Sequence, residues 1–492
     1  MEPAAVRAEA ENRSVLSGFD AATIVAGSMI GSGIFIVSAD IARHVNSPAV
    51  LLLVWLVAGL MTIAGALAYG ELAVMMPQAG GQYVYLREAY GRLWGFLFGW
   101  TLFLVIQTGT IAAVAVAFAR FAGVLFPALN SNVAPGGGWQ VGFTRERVGA
   151  IVIIVGLTAA NLRGLDTGRV VQNLFTTIKV LALLMIGLVA LMVAPNPAAL
   201  RINFGGAAAF FGTGSALSLG ALAAFGAAMV GSLFSADAWA SVTFVASETR
   251  RPERDLPFAL AAGTLVVIAL YLLVNVGYLA QLPLHPTGGV GVFADGIARA
   301  RSDRVAAAAM QSVWRGGGAA LTAALVMIST FGCANGLILT GAWVLFAMAR
   351  DGVFWRPAGL LNSAQVPSVA LVVQAVWACL LTLTGSYSDL LDYVIFAQLL
   401  FYVLTVGAVF WLRIQRPEVP RPYKAWGYPI VPAAYIVAAT ALMIDLLIVK
   451  PRFTWPGLLI VVAGIPVFLI QERRSRQTSA PGAKPAAGGG GR

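Results

Sequence analysis

Gly27-Ser28-Met29-Ile30-Gly31-Ser32-Gly33-Ile34-Phe35 is the stretch that decides how this chain is read. It lies inside a segment, about 18–42, that is apolar enough to cross a bilayer, yet it places glycine and serine where a continuous helix prefers larger residues. The pattern predicts a broken helix. In lipid, a break exposes backbone N–H and C=O groups, and it is tolerated only where protein or a polar cavity surrounds it. The N–H groups of Gly31, Ser32 and Gly33 would open the second half-helix at its positive dipole end, which suits a carboxylate. The same small residues would also permit close helix packing with no ligand at all, and periodicity alone does not separate the two readings.

Outward from that stretch, the composition is that of a membrane protein. Of 492 residues, 59% are hydrophobic and only 11% charged, and the mean hydropathy is +0.83. About 12 apolar stretches of spanning or near-spanning length leave no room for separate soluble domains. The expected fold is therefore an all-α polytopic bundle. The polar N-terminus, with Glu2, Glu9 and Glu11, is unlike a cleavable signal, so the first span would itself direct insertion. A net charge of +11 is also found in nucleic-acid binders, but here the arginines sit in short loops between apolar runs and read as topology determinants. With the N-terminus cytoplasmic, about 20 of the 32 Lys and Arg fall on the cytoplasmic side, which puts both termini inside. An outer loop with Arg299, Arg301, Arg304 and Arg315 runs against that bias and is long enough to be exported regardless. Cys333 and Cys379 fall in apolar segments, and no His/Cys cluster has metal-ligand spacing, so neither a disulfide, a metal nor a cofactor is expected.

The spans read as 18–42, 50–75, 93–124, 147–162, 170–194, 218–247, 257–281, 317–349, 367–385, 389–412, 429–449 and 453–470. They divide into a tail over 1–17, a first group of five over 18–194, a second over 218–412, two further helices over 429–470, and a disordered tail over 471–492. Within the second group, Phe234-Ser235-Ala236-Asp237-Ala238-Trp239 repeats the theme of the first span, with small residues and one carboxylate in mid-run. Two interrupted helices at corresponding positions are the pattern left by an inverted repeat around a midplane site. Asp237 could face a cationic group, carry a proton or hold unwound backbone, since intramembrane carboxylates seldom lack a role. Lys179, inside the fifth span and about ten residues from its start, is too deep to escape easily to the interface. Gly80-Gly81 allows a sharp turn into Tyr83 to Arg87, which reads either as an amphipathic interfacial helix or as a plain loop. Asn335 and Gln398 are neutral polar residues in apolar surroundings, suited to interhelical hydrogen bonds. Arg421 to Pro429 reads as an interface anchor.

In order along the chain, Ile30 to Phe35, Pro77 to Gly91, Gln172-Asn173-Leu174-Phe175 with Lys179, Phe234 to Pro257, and Trp411-Leu412-Arg413 through Arg421-Pro422 resemble the amino acid–polyamine–organocation (APC) superfamily. The pattern is nearest to its L-type amino acid transporter branch and runs from about Ser17 to Arg474. That resemblance implies a LeuT-type five-plus-five inverted repeat with two additional C-terminal helices, working by alternating access. It implies that Gly31, Ser32 and Gly33 cradle a substrate carboxylate, that Met29, Ile30, Phe234 and Asp237 form the side meeting the α-ammonium group, and that Phe234 is an aromatic gate. Lys179 matches a lysine that in many relatives occupies the region where sodium-coupled members bind an ion, implying a sodium-independent carrier. Side-chain pocket candidates are Ser235, Ala238, Asn335 and Gln398. The small Ser235, Ala236 and Ala238 replace a bulkier and a more flexible residue often seen in the branch, so the pocket is not sized by analogy. No outer-loop cysteine matches the one that tethers eukaryotic relatives to a heavy chain, so no disulfide-linked partner is expected.

The expectation is thus an inner (plasma) membrane permease for neutral L-amino acids, by exchange or with a proton, partnered by its substrate and the bilayer and not by nucleic acid. A cationic amino acid or polyamine carrier, with Asp237 pairing the distal charge, is the alternative within transport. An intramembrane enzyme would need a base and nucleophile converging at membrane depth, whereas His44 and His285 both fall in outer loops. A channel would need a continuous pore in place of a closed midplane site.

Overall fold

The computed structural model describes residues 16–77, 80–129, 143–163, 168–193, 195–212, 218–384 and 387–478. Most of the expected tails, 1–15 and 479–492, and Gln78-Ala79 of the Pro77 to Gly91 stretch lie outside these residues. The described chain is helical, and its one isolated bridge pairs Leu16 with Thr249 in parallel. Eight helices among the described residues are long and apolar enough to cross a bilayer, and a bent pair makes nine. Two shorter apolar helices, Leu219–Ser235 and Ser368–Thr384, add to these. The multi-pass class follows, while the count of about twelve does not follow from length and apolarity alone. Arg145–Leu162 shows why, because Arg145, Glu146 and Arg147 occupy its first turn and shorten its apolar run.

The bent pair is α1 (Gly18–Met29) and α2 (Gly33–His44), which meet at 45°. Ser17 and Asp20 form a reciprocal capping box that fixes where α1 starts. His44 closes α2 and is not a loop residue. The chain continues through α3 (Pro48–Met75), α4 (Gln82–Tyr90), α5 (Arg92–Leu125), α6 (Arg145–Leu162), α7 (Gly168–Leu188, extended by a π-turn Val189–Val193), α8 (Pro197–Phe204) and α9 (Ala207–Phe211). Next come α10 (Leu219–Ser235), a 3₁₀ stretch Trp239–Glu248, α11 (Pro252–Gln281), α12 (Val292–Asp295), α13 (Val305–Val313), α14 (Gly318–Arg350), α15 (Ser368–Thr384), α16 (Tyr387–Gln415), α17 (Ile430–Val449) and α18 (Pro451–Thr478). Residues 471–478, expected as disordered tail, continue α18, in keeping with Gln, Glu and Arg being good helix formers.

Two junctions differ from an interfacial reading. Gly81, at φ +47°, turns the chain so closely that a Cβ there would meet Thr243 Oγ1 and the Phe244 ring. That approach tucks α4 into the protein: Tyr83, Val84, Tyr85 and Leu86 are buried, Gln82 Nε2 donates to Thr405 Oγ1 at 3.1 Å, and Tyr90 donates to the Leu404 carbonyl at 2.9 Å. Buried side chains on several faces exclude a helix lying half in lipid. The Arg421 to Pro429 segment is likewise more than an anchor. Glu71, at the end of α3, accepts from Arg413 Nε and Nη2 at 2.8 and 2.6 Å and from the Ala425 N–H at 2.7 Å.

Candidate functional site at the two helix breaks

The carbonyl end of α1 is met by donors from three other helices. Lys179 Nζ of α7 donates to the Gly27 carbonyl at 2.9 Å, and Cys333 Sγ of α14 lies 3.8 Å from the Ser28 carbonyl. Tyr271 of α11 donates to the Met29 carbonyl at 2.9 Å. Ser329 of α14 reaches the Ile30 and Gly31 carbonyls at 3.2 and 3.4 Å. Every carbonyl from Gly27 to Gly31 therefore has a side-chain neighbour, which is how protein groups support the break. Lys179 is 3% exposed and its charge sits against the negative end of the α1 dipole.

The N–H end of α2 is arranged differently. Ser32 takes the N-cap position with helical dihedrals, and its side chain makes no capping hydrogen bond. Its hydroxyl is instead 2.9 Å from Tyr387 Oη of α16. No side-chain oxygen of Ser32 fills the positive end of the helix, and Ile30, Ser32 and Ile34 are fully buried. Gly33 is the point where the two broken helices touch, because a Cβ there would meet Ser235 Oγ, Cβ and, at 2.8 Å, its Cα.

The second break starts at Ser235. Asp237 N donates to the Phe234 carbonyl at 3.2 Å, and Ala238 holds φ +67°, a left-handed conformation that costs a residue with a Cβ. Tyr271 Oη is also 2.9 Å from the Ser235 carbonyl, so one hydroxyl proton serves acceptors on both broken helices. Phe234 is buried and stands edge-on to Tyr387, with ring centroids 6.3 Å apart. Ser235 donates back to the Gly231 carbonyl at 2.8 Å.

Asp237 points elsewhere. Its Oδ1 accepts from Tyr402 at 2.6 Å, and Tyr402 stacks on Trp239 at 5.1 Å with Tyr69 edge-on to both. The carboxylate, Gln398, Thr62, Tyr402 and Tyr435 line a cavity of about 20 Å³, room for one water and not for a ligand side chain. Gln398 Oε1 has no hydrogen-bond partner there among the described residues. Asn335 is not brought to this cluster: its Oδ1 accepts from Asn161 Nδ2 of α6 at 2.8 Å. The structure thus gathers residues 29–33, 234, 235 and 179 around the breaks, sets Asp237 and Gln398 in a side compartment, and commits Asn335 to a helix–helix contact.

Residues 16–469 match the amino acid permease family. The chain belongs to that family. Among its relatives, the serine/threonine exchanger SteT of Bacillus subtilis is 28% identical over 92% of the permease and 96% of SteT. The b(0,+)-type amino acid transporter 1 of Homo sapiens is 28% identical over 91% of the permease and 86% of its own length. The Asc-type amino acid transporter 1 of Mus musculus is 29% identical over 92% and 79%. The permease is therefore grouped with transporters and exchangers and not with enzymes.

Proposed function

We propose that this permease is a secondary active carrier that moves neutral L-amino acids across the plasma membrane by alternating access, independently of sodium, through exchange or proton-coupled uptake. The observation that carries the reading is the side-by-side placement of two broken helices, which touch at Gly33 and Ser235: one has an uncapped N–H end at Ser32 and Gly33, and the break carbonyls at Met29 and Phe234, held here by Tyr271 and the Gly31 N–H and by the Asp237 N–H, are the acceptors an ammonium group would take over. A zwitterion has one group for each, and neither interaction spends a full side-chain charge inside the membrane. In this reading Gly31, Ser32 and Gly33 hold the carboxylate, Met29, Ile30, Phe234 and the Asp237 backbone face the ammonium group, and Phe234 closes over the substrate. Lys179 on the Gly27 carbonyl places a fixed cation beside the break, which supports transport without sodium. The hydrogen bond from Tyr402 to Asp237 and the one-water cavity beside it support a neutral over a cationic substrate.

The finer architecture belongs to the same proposal. The five helices over 18–194 and the five over 218–412 form the inverted repeat, 429–470 adds two helices, both termini are cytoplasmic, and the carrier works without a disulfide-linked heavy chain. Purified protein in proteoliposomes, empty or preloaded and with or without a proton gradient, tests the reading against a panel of neutral, cationic and acidic amino acids. Neutral uptake that requires internal substrate makes the permease an exchanger, and gradient-driven uptake into empty vesicles makes it a symporter. Preference for lysine, arginine or polyamines overturns the neutral assignment.

A further inference from the structure

The end of the bundle remote from Ser17 is closed by charges that the helix breaks do not use. Arg43, in the last turn of α2, donates to Asp303 Oδ1 at 2.7 Å and to the Ala298 carbonyl at 3.2 Å. Arg120, near the end of α5, reaches the other oxygen of Asp303 at 3.4 Å and Glu146 of α6 at 3.8 Å. Asp303 is buried in the connection between α11 and α14, flanked by two guanidinium groups. Ser302 and Asp303 hold φ of +53° and +59°, so this corner is bent against its own preference and is kept by what it binds. Arg304 Nη1 adds a bond to the Arg120 carbonyl at 3.0 Å.

From this cluster a line of contacts runs to the breaks. The Arg120 guanidinium stands 5.5 Å from the centroid of the Tyr387 ring. Tyr387 is 1% exposed, bonds Ser32 Oγ and stands edge-on to Phe234. The chain Asp303, Arg120, Tyr387, Ser32 thus ties a largely buried ion cluster at the remote end to the helix end assigned above to the substrate.

We propose that Tyr387 is a positioning residue for the carboxylate cradle, and that the Arg43–Asp303–Arg120 latch holds it in position from the remote face. The proposal rests on the reading that the helix end at Ser32 receives the carboxylate. With the latch closed, Arg120 pins the ring, and the phenol keeps the Ser32 hydroxyl away from the N–H groups the ligand needs. When the latch opens, Arg120 leaves the ring, the start of α16 is released, and the breaks become reachable from that face. The connection carrying Asp303 is then a working part of the transport cycle.

Cys333 supplies a native reporter, since it is buried with its Sγ beside the Ser28 carbonyl. In a Cys379→Ala background, oriented vesicles are treated from either face with a membrane-impermeant methanethiosulfonate. Asp303→Asn should raise the rate of Cys333 modification from the latch face by about fivefold or more, with no rise from the opposite face. Arg43→Gln should act in the same direction and stands in if Asp303→Asn does not fold. Tyr387→Phe, which keeps the ring and loses the hydroxyl, should raise the half-saturating substrate concentration about five- to tenfold while the maximal rate changes less than about twofold. Unchanged labelling in both latch variants, equal increases from both faces, or an unchanged half-saturation in Tyr387→Phe overturns the proposal. Protection of Cys333 by saturating substrate in the parent protein tests the site reading separately: its absence sinks the cradle and leaves the labelling of the latch variants still interpretable.

Discussion

At Gly33 the absence of a side chain serves contact between the two broken helices as much as room for a ligand. Gly33→Ala would drive a Cβ into the Ser235 backbone, which cannot rotate away, whereas at Gly31 the added Cβ meets the Cys333 side chain at 3.1 Å. Gly33→Ala is therefore expected to cut uptake about tenfold or more, the effect of about 1.4 kcal/mol in the transition state, and Gly31→Ala to cost less. Uptake normalised to protein in the membrane checks the order, and the reverse order would mean the two glycines have been assigned to the wrong neighbours. Lys179→Met keeps the aliphatic stem and deletes the charged donor to the Gly27 carbonyl. Losing a charge-assisted bond of about 1.5–3 kcal/mol should slow transport about 10- to 100-fold. Equilibrium substrate binding should fall much less, and equal losses would make Lys179 a folding residue only. Lys179 was legible because a buried ammonium inside a span always needs an explanation. Tyr271, Ser329 and Tyr387 were not, although the first two hold the same backbone and the third the Ser32 side chain. Intramembrane hydroxyls are common in this sequence, and Thr62, Thr264, Thr330 and Thr382 simply bond back to their own helices. Only the fold separates a hydroxyl that serves its own turn from one that reaches a broken helix.

At the scale of elements, the sequence showed where helices lie better than how their ends are tied. The break between Met29 and Gly33 and the end of α10 at Ser235 fall where glycine, serine and alanine interrupt apolar runs, because a local composition change has a local consequence. The partnership of Glu71 with Arg413, Arg421 and the Ala425 N–H joins residues more than 340 positions apart, and nothing in either stretch announces the other. The same holds for α4, whose apparent amphipathic face is covered by α16 and the 3₁₀ segment. Glu71 is 1% exposed and has two guanidinium groups and a backbone amide around it. Removing its charge leaves Arg413 and Arg421 without their counter-ion, and breaking such a buried pair costs about 3–5 kcal/mol. Glu71→Gln should lower the thermal midpoint in detergent and reduce the yield of monodisperse protein. A midpoint equal to that of the parent protein would show that the junction contributes little to stability.

Across the whole molecule the two breaks lie between two closures of different construction. At the remote end, Asp303 gathers Arg43 and Arg120. At the end where the chain enters, Asn173 of α7 donates to Asp20 Oδ1 at 2.8 Å and accepts from Thr23 Oγ1 at 2.6 Å, while Leu16 pairs with Thr249 and accepts from the Arg250 N–H at 3.0 Å. A carrier that works by alternating access must weaken one closure while keeping the other, so a variant that loosens one end should shift the population toward exposure at that end and away from exposure at the other. Asn173→Ala removes the two side-chain hydrogen bonds of Asn173 to α1, without adding volume or charge, and leaves those of Thr176 and Lys179 in place. It should raise modification of Cys333 from the entry face by about threefold or more and lower it from the latch face, the mirror image of Asp303→Asn. Combining the two substitutions should bring the ratio of labelling from the two faces back toward that of the parent protein, because each biases the same equilibrium in the opposite sense. If Asn173→Ala instead raises labelling from both faces together, the two closures are independent leaks and not alternating gates. Alternating access would then fail as the account of transport for this permease even with its helix breaks correctly placed.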